Sequence, residues 1–123
     1  MSIQVDSGKF PTANRLSRWA PDHAPVVYFV KRDDGFIKIG TTRNLDRRLY
    51  QLSVSYRPNG GPKRQFELLG TIPGGADEEA RIHQIFKDKQ APLPGSPRNE
   101  FFHDCPQVRR FIAANCHRGK AAA

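Results

Sequence analysis

The chain is poor in cysteine, with two in 123 residues, and it holds one methionine and one tryptophan. Two thiols, Cys105 and Cys116, are too few for a disulfide framework, which excludes a small secreted fold held together by bridges. No apolar run approaches the length of a membrane-spanning helix, and the N-terminus has no apolar leader segment. The cytoplasm is therefore the expected location, with no membrane partner. No internal repeat is present. Acidic residues are also scarce: 12 Asp and Glu face 20 Lys and Arg, for a formal net charge of +8 and a pI near 10.0. Such an excess favours a polyanionic partner. With 37% hydrophobic residues and a mean hydropathy of -0.64, the chain suits one soluble domain. A domain of this length buries roughly two-thirds of its unfolded surface.

The charge is unevenly spread. Residues 26–52 carry six basic and three acidic side chains, and 53–65 add three basic ones. Residues 66–90 reverse the sign, with three basic against five acidic. A basic region beside a carboxylate cluster suits a metal-dependent enzyme acting on nucleic acid.

The pattern from Val26 to Leu52 predicts strand, turn, strand, glycine break, helix. Val26 to Val30 is β-branched and aromatic, and Asp33-Asp34-Gly35 supplies a turn. Phe36 to Gly40 returns as a second strand, and Asn44 caps a helix striped by Leu45, Leu49 and Leu52. A hairpin centred on Asp33 sets Tyr28 across from Lys38, both on one face. On the helix, Arg48 borders the apolar stripe, whereas Arg47 is turned about 100° away. Further on, Phe66, Leu68, Gly70 and Ile72 alternate as one face of a third strand. A helix from about Asp77 presents Ile82, Ile85 and Phe86 inward, with Glu78 and Glu79 on opposite edges of that stripe. Periodicity does not choose between the two acids. Glu100 to His103 reads as a final extended segment, and Asp104-Cys105-Pro106 opens a last helix with Val108, Phe111 and Ile112 inward.

Residues 1–25 read as an arm, with Trp19 packing it onto the core or, together with Arg15 and Arg18, touching nucleic acid. The turn-rich loop Ser53 to Gln65 carries Arg57, Lys63 and Arg64, which with Arg43 and Arg47 are the candidate phosphate-backbone contacts.

The blocks Val26-Val27-Tyr28, Lys38-Ile39-Gly40 and Arg48 resemble, in order and spacing, the GIY-YIG endonuclease pattern. The form is that of its T5orf172 or MUG113-like branch, whose second motif reads KIG. Glu67 to Ile72, Glu79 to Phe86 and Glu100-Phe101-Phe102 extend the resemblance over about residues 26–112. The resemblance implies an α/β domain of the α+β type: a small, mainly antiparallel sheet of three or four strands flanked by helices. It spans residues 26–115, with 116–123 as a tail. It also implies a metal-dependent DNA endonuclease. Tyr28 then takes part in activating the attacking water, Arg48 contacts the scissile phosphate, and Glu79 binds a single Mg2+ or Mn2+ ion. Lys38, standing where most of the family has a second tyrosine, sits near the water. His83, one turn after Glu79, supports the site. The other reading is a nucleic-acid-binding module on the same fold that has lost catalysis, with Lys38 as the residue that keeps it open. RNA is an alternative substrate to DNA. A lone small catalytic domain takes its specificity from an arm, a homodimer or a partner. A separate metal reading makes His103, Cys105, Cys116 and His117 zinc ligands, although no C-x2-C or H-x3-H pair occurs.

Overall fold

The structure, a computed structural model, describes residues 22–55, 64–91 and 100–117. Its centre is a hairpin of β1 (Val26–Arg32) and β2 (Ile37–Thr42). Arg32 N donates to Phe36 O and Gly35 N to Arg32 O, each at 2.8 Å, leaving Asp33, Asp34 and Gly35 as the loop. Gly35 has φ 97°, the left-handed conformation that a three-residue hairpin loop requires at its last position.

This loop sets the register, and it corrects the expected one. Tyr28 lies opposite Gly40, and Lys38 lies opposite Val30. The hairpin centres on Asp34 because Arg32 still pairs across to Phe36, so Lys38 is not directly across from Tyr28. The displacement is even, so alternation keeps Tyr28 and Lys38 on one face as diagonal neighbours.

Around the hairpin come α1 (Leu45–Ser55), β3 (Phe66–Pro73), α2 (Ala76–Ile85), a 3-10 turn at Lys87–Lys89, β4 (Phe101–Phe102) and α3 (Pro106–Asn115). The four strands form one antiparallel sheet in the order β3-β1-β2-β4, so the fold is α+β with helices on the sheet, as expected. One face packs Val27, Phe29, Ile37, Ile39, Leu69 and Phe102 against Ile82 of α2, Phe86 at its C-cap, and Val108 and Ile112 of α3. The opposite face packs Tyr28 and Val30 against Leu45, Leu49 and Leu52 of α1. Burying these apolar side chains is the main stabilising contribution, roughly 1.5–3 kcal/mol for each large one.

Two packing expectations change. The pairing of β1 with β3 shifts between Phe29 and Val30, so Gly70 faces Phe29 and Leu68 faces Val30, with Leu69 as the extra residue. This bulge divides the expected stripe: Phe66 and Leu68 join the α1 face, and Leu69 and Ile72 join the other. Ile82 in α2 and Phe86 at its C-cap are buried as expected, but Ile85 is 45% exposed. The helix ends at Ile85, and Phe86 reaches the core from the C-cap with φ -105° and ψ 24°, so the i, i+3, i+4 stripe is not completed at this end.

Contacts reach past the expected 26–115 span at both ends. His117 forms a bridge with Thr71 on the outer edge of β3, and Gln90 bridges Phe102 on β4. These bridges cover edges that would otherwise present unpaired backbone groups. At the other end, His23 N donates to Arg43 O at 2.8 Å and Gly74 N to Pro25 O at 3.0 Å. Arg15, Arg18 and Trp19, the loop residues Arg57 and Lys63, and the tail from residue 118 lie outside the described residues. Among the described residues no helix is long and apolar enough to cross a membrane.

Candidate active site

The site grows from the face of the hairpin that carries Tyr28, Lys38 and Gly40. Tyr28 is buried, and its ring crosses Gly40 so closely that a β-carbon added there would stand 2.6 Å from Tyr28 Cζ. The glycine after Lys38-Ile39 thus has a steric reason: it makes room for the tyrosine ring.

The helix α1 then brings an arginine to the phenol. Thr42 Oγ1 accepts from Asn44 N at 3.0 Å, and Asn44 Oδ1 accepts from Arg47 N at 3.1 Å, which caps the helix as expected. Asn44 Nδ2 donates to Asp22 at 3.1 Å, so the cap is itself anchored. From this start Arg48 points inward and donates from Nε to Tyr28 Oη at 3.2 Å. Arg47 points outward, 40% exposed, with Asp22 at 3.5 Å. The two neighbours part as the helical offset predicts.

Lys38 is almost fully buried, and its ammonium donates to Glu100, the residue before β4. Its nitrogen also lies 5.7 Å from the centre of the Phe101 ring, which Arg32 covers at 4.5 Å. In α2 the two acids separate cleanly. Glu78 pairs with Arg81 at 2.5 Å, whereas Glu79 Oε2 lies 3.6 Å from His83 Nε2. His83 Nε2 is also 2.9 Å from the Ile39 carbonyl. A carbonyl only accepts, so this nitrogen carries a proton. With its ring 5.1 Å from that of Phe102, His83 ties α2 to the sheet beside the KIG motif.

These groups act on one another. Burial raises the Tyr28 pKa above its ordinary value, against the Arg48 hydrogen bond, and Glu100 and Glu79 raise it further. Burial lowers the Lys38 pKa, opposed by the hydrogen bond to Glu100, with Arg48 lowering and Glu79 raising it. Tyr28 therefore stays a phenol at neutral pH, a hydrogen-bonding group and not a phenolate. The cation that touches it is Arg48; the lysine that the sequence set opposite it is held by Glu100.

Residues 25–116 match the T5orf172 domain. The chain belongs to the T5orf172 domain family. This family is related to the GIY-YIG, nuclease-like fold and is associated with nucleases. No curated protein and no solved structure matches the chain.

In this T5orf172 domain, Tyr28, Lys38, Arg48, Glu79 and His83 come together, and Glu100 joins them. Glu100 was legible in sequence only as part of a motif block. The signal that could have found it is Lys38 itself, an ammonium between Ile37 and Ile39 in a strand whose faces are both covered, which demands a carboxylate. Arg43 is exposed beside the α1 cap. Arg64 is not brought to the site: it pairs with Asp33 at 3.3 Å and Asp34 at 3.1 Å, at the turn end of the hairpin.

Among the described residues no three His, Cys, Asp or Glu side chains converge on a metal position. The zinc reading is accordingly set aside. Cys116 instead packs against the core over Gly70, and burial pushes its thiol up to about 11. A hard divalent ion is a different case. Mg2+ keeps several waters and needs one or two carboxylates together with substrate phosphate. The Glu79 carboxylate, with its side chain about a fifth exposed, fits that requirement.

Proposed function

We propose that this domain is a divalent-metal-dependent endonuclease that hydrolyses phosphodiester bonds in DNA. The observation that carries the reading is Arg48 turned inward onto Tyr28, on the face that also holds Lys38, with Glu79 tied beside the same strand through His83 and the Ile39 carbonyl. Hydrolysis requires an oriented water and stabilisation of the charge that builds on the phosphate. The Arg48 guanidinium supplies that charge and a planar fork for phosphate oxygens. Tyr28, kept as a phenol and fixed by Arg48, orients the attacking water by hydrogen bonding. Lys38 adds a second positive charge on the same face. Glu79 would hold Mg2+ or Mn2+, which when bound supplies Lewis-acid stabilisation of the phosphate and the leaving oxygen. His83 keeps Glu79 and α2 in place against β2.

Arg47 on the outer side of α1 and the exposed Arg43 before its cap serve as non-specific phosphate contacts. Sequence preference, in so small a domain, falls to a second copy or a separate partner. The experiment is nicking of supercoiled plasmid with Mg2+, with Mn2+ and with EDTA, run beside binding to the same DNA and to an RNA duplex in EDTA. Metal-dependent nicking is expected. Binding without nicking in either metal would instead identify a non-catalytic nucleic-acid-binding module.

A further inference from the structure

We propose that Glu100 is a positioning residue of the active site, holding the Lys38 ammonium in place beside Tyr28; this rests on the nuclease reading above. Lys38 is the second residue of β2, flanked across the sheet by Val30 of β1 and Phe101 of β4. An ammonium at such a place costs several kcal/mol unless a carboxylate meets it. Glu100 is built to do so from both its backbone and its side chain. Its carbonyl accepts from Ile39 N at 3.1 Å, which pins it beside β2, and its carboxylate accepts from Lys38 Nζ. The pair spans 62 positions of sequence, so β4 is delivered to the site by this contact and the short pairing around it.

The exposure of the two side chains shows the direction of the arrangement. The Lys38 side chain is 1% exposed and that of Glu100 is 16%. The lysine stem is fixed below, along Phe101, and the carboxylate holds the ammonium from the more open side. Buried as it is, Lys38 acts on the reacting phosphate through its charge, and the carboxylate fixes where that charge sits. Without the carboxylate, the buried ammonium loses the partner that offsets its desolvation and fixes its place on the sheet face. Glu100 thus acts on the reaction through Lys38 and not by touching the substrate.

The test combines single-turnover nicking with NMR of the lysine ammonium groups. Glu100→Gln should slow nicking roughly tenfold to a hundredfold, the range seen when a partner of a site group is removed. DNA affinity in EDTA and the Mg2+ concentration for half-maximal rate should stay within about twofold. Glu100→Asp should recover part of the rate. In a Lys38→Met background, Glu100→Gln should cost nothing further. The hydrogen-bonded ammonium signal of Lys38, assigned by its loss in Lys38→Met, should vanish in Glu100→Ala, which leaves no side-chain acceptor. A wild-type rate in Glu100→Gln would overturn the proposal, as would an undiminished loss in the Lys38→Met background. A tenfold rise in the Mg2+ requirement would make Glu100 a metal ligand instead. If wild-type protein nicks no DNA, the nuclease reading falls. Persistence of the ammonium signal in Glu100→Ala would overturn the pair by itself.

Discussion

Replacing Gly40 with alanine drives a methyl group into the Tyr28 ring, and the cost follows from the contact. The added carbon meets Cζ at 2.6 Å and Cε2 at 3.1 Å, well inside van der Waals separation. The ring is buried between Val30 and α1 and has little room to yield. Overpacking of this kind costs about 1–3 kcal/mol. Weakening the Arg48 hydrogen bond adds about 1 kcal/mol, and the lower chain entropy of alanine in the unfolded state returns about 0.5–1 kcal/mol. The net loss is about 2 kcal/mol, which lowers Tm by roughly 8 °C for a domain of this size. Thermal unfolding followed by circular dichroism measures it, and a double-mutant cycle isolates it. In a Tyr28→Val background, whose side chain does not reach across the strand, Gly40→Ala should be neutral or slightly stabilising. An equal cost in both backgrounds would show that Gly40 serves something other than the tyrosine ring.

Two further outcomes follow from the same geometry. Glu79→Gln should abolish metal-dependent nicking while DNA binding in EDTA stays level or rises, because a neutral amide is a poor ligand for a hard cation and no longer repels phosphate; Glu78→Gln, on the Arg81 side of α2, should nick normally in the same assay. Asp104 is held down to about 2, chiefly by the Arg109 fork at 2.8 Å and 2.9 Å and also by Lys31 at 3.1 Å. A carboxylate lowered in the folded state stabilises fully above its unfolded value of 3.8 and loses that contribution as pH falls through about 2. Asp104→Asn should therefore cost about 1 kcal/mol near neutral pH after solvent screening. The difference from wild type in urea unfolding should close between about pH 4 and pH 2, and a difference independent of pH would remove the ion pair as its cause.

The sequence was most informative where a local rule fixed the answer. Asn44 before a leucine stripe marked both the start of α1 and the inward turn of Arg48, because capping and helical periodicity are short-range. The same reasoning reached the turn at Asp33-Asp34-Gly35 but not its pairing. Register depends on which residues close the loop, and the bond between Arg32 and Phe36 shifted it by two positions. Glu78 and Glu79 were indistinguishable by periodicity because they flank one stripe; the Arg81 pair on one side and the packing of His83 onto Ile39 and Phe102 on the other separate their surroundings. The bulge at Leu69 left no local mark, since alternation in Phe66 to Ile72 reads the same with or without an extra residue. The Lys38–Glu100 pair joins residues 62 positions apart, a distance at which no periodicity operates. What could be read was the demand for a partner, created by a lysine between two isoleucines.

The central claim is that one arginine of an adjacent pair faces a phosphodiester-cleaving site and the other faces solvent. The initial rate of plasmid nicking in Mg2+ by wild type, Arg48→Ala and Arg47→Ala tests it most directly. Arg48→Ala should lose about a hundredfold or more, the effect of removing a charge-stabilising donor. Arg47→Ala should nick at close to the wild-type rate at saturating DNA, with the slope of log K against log salt reduced by about one. Equal losses of turnover in the two variants, or full activity in Arg48→Ala, would contradict the account.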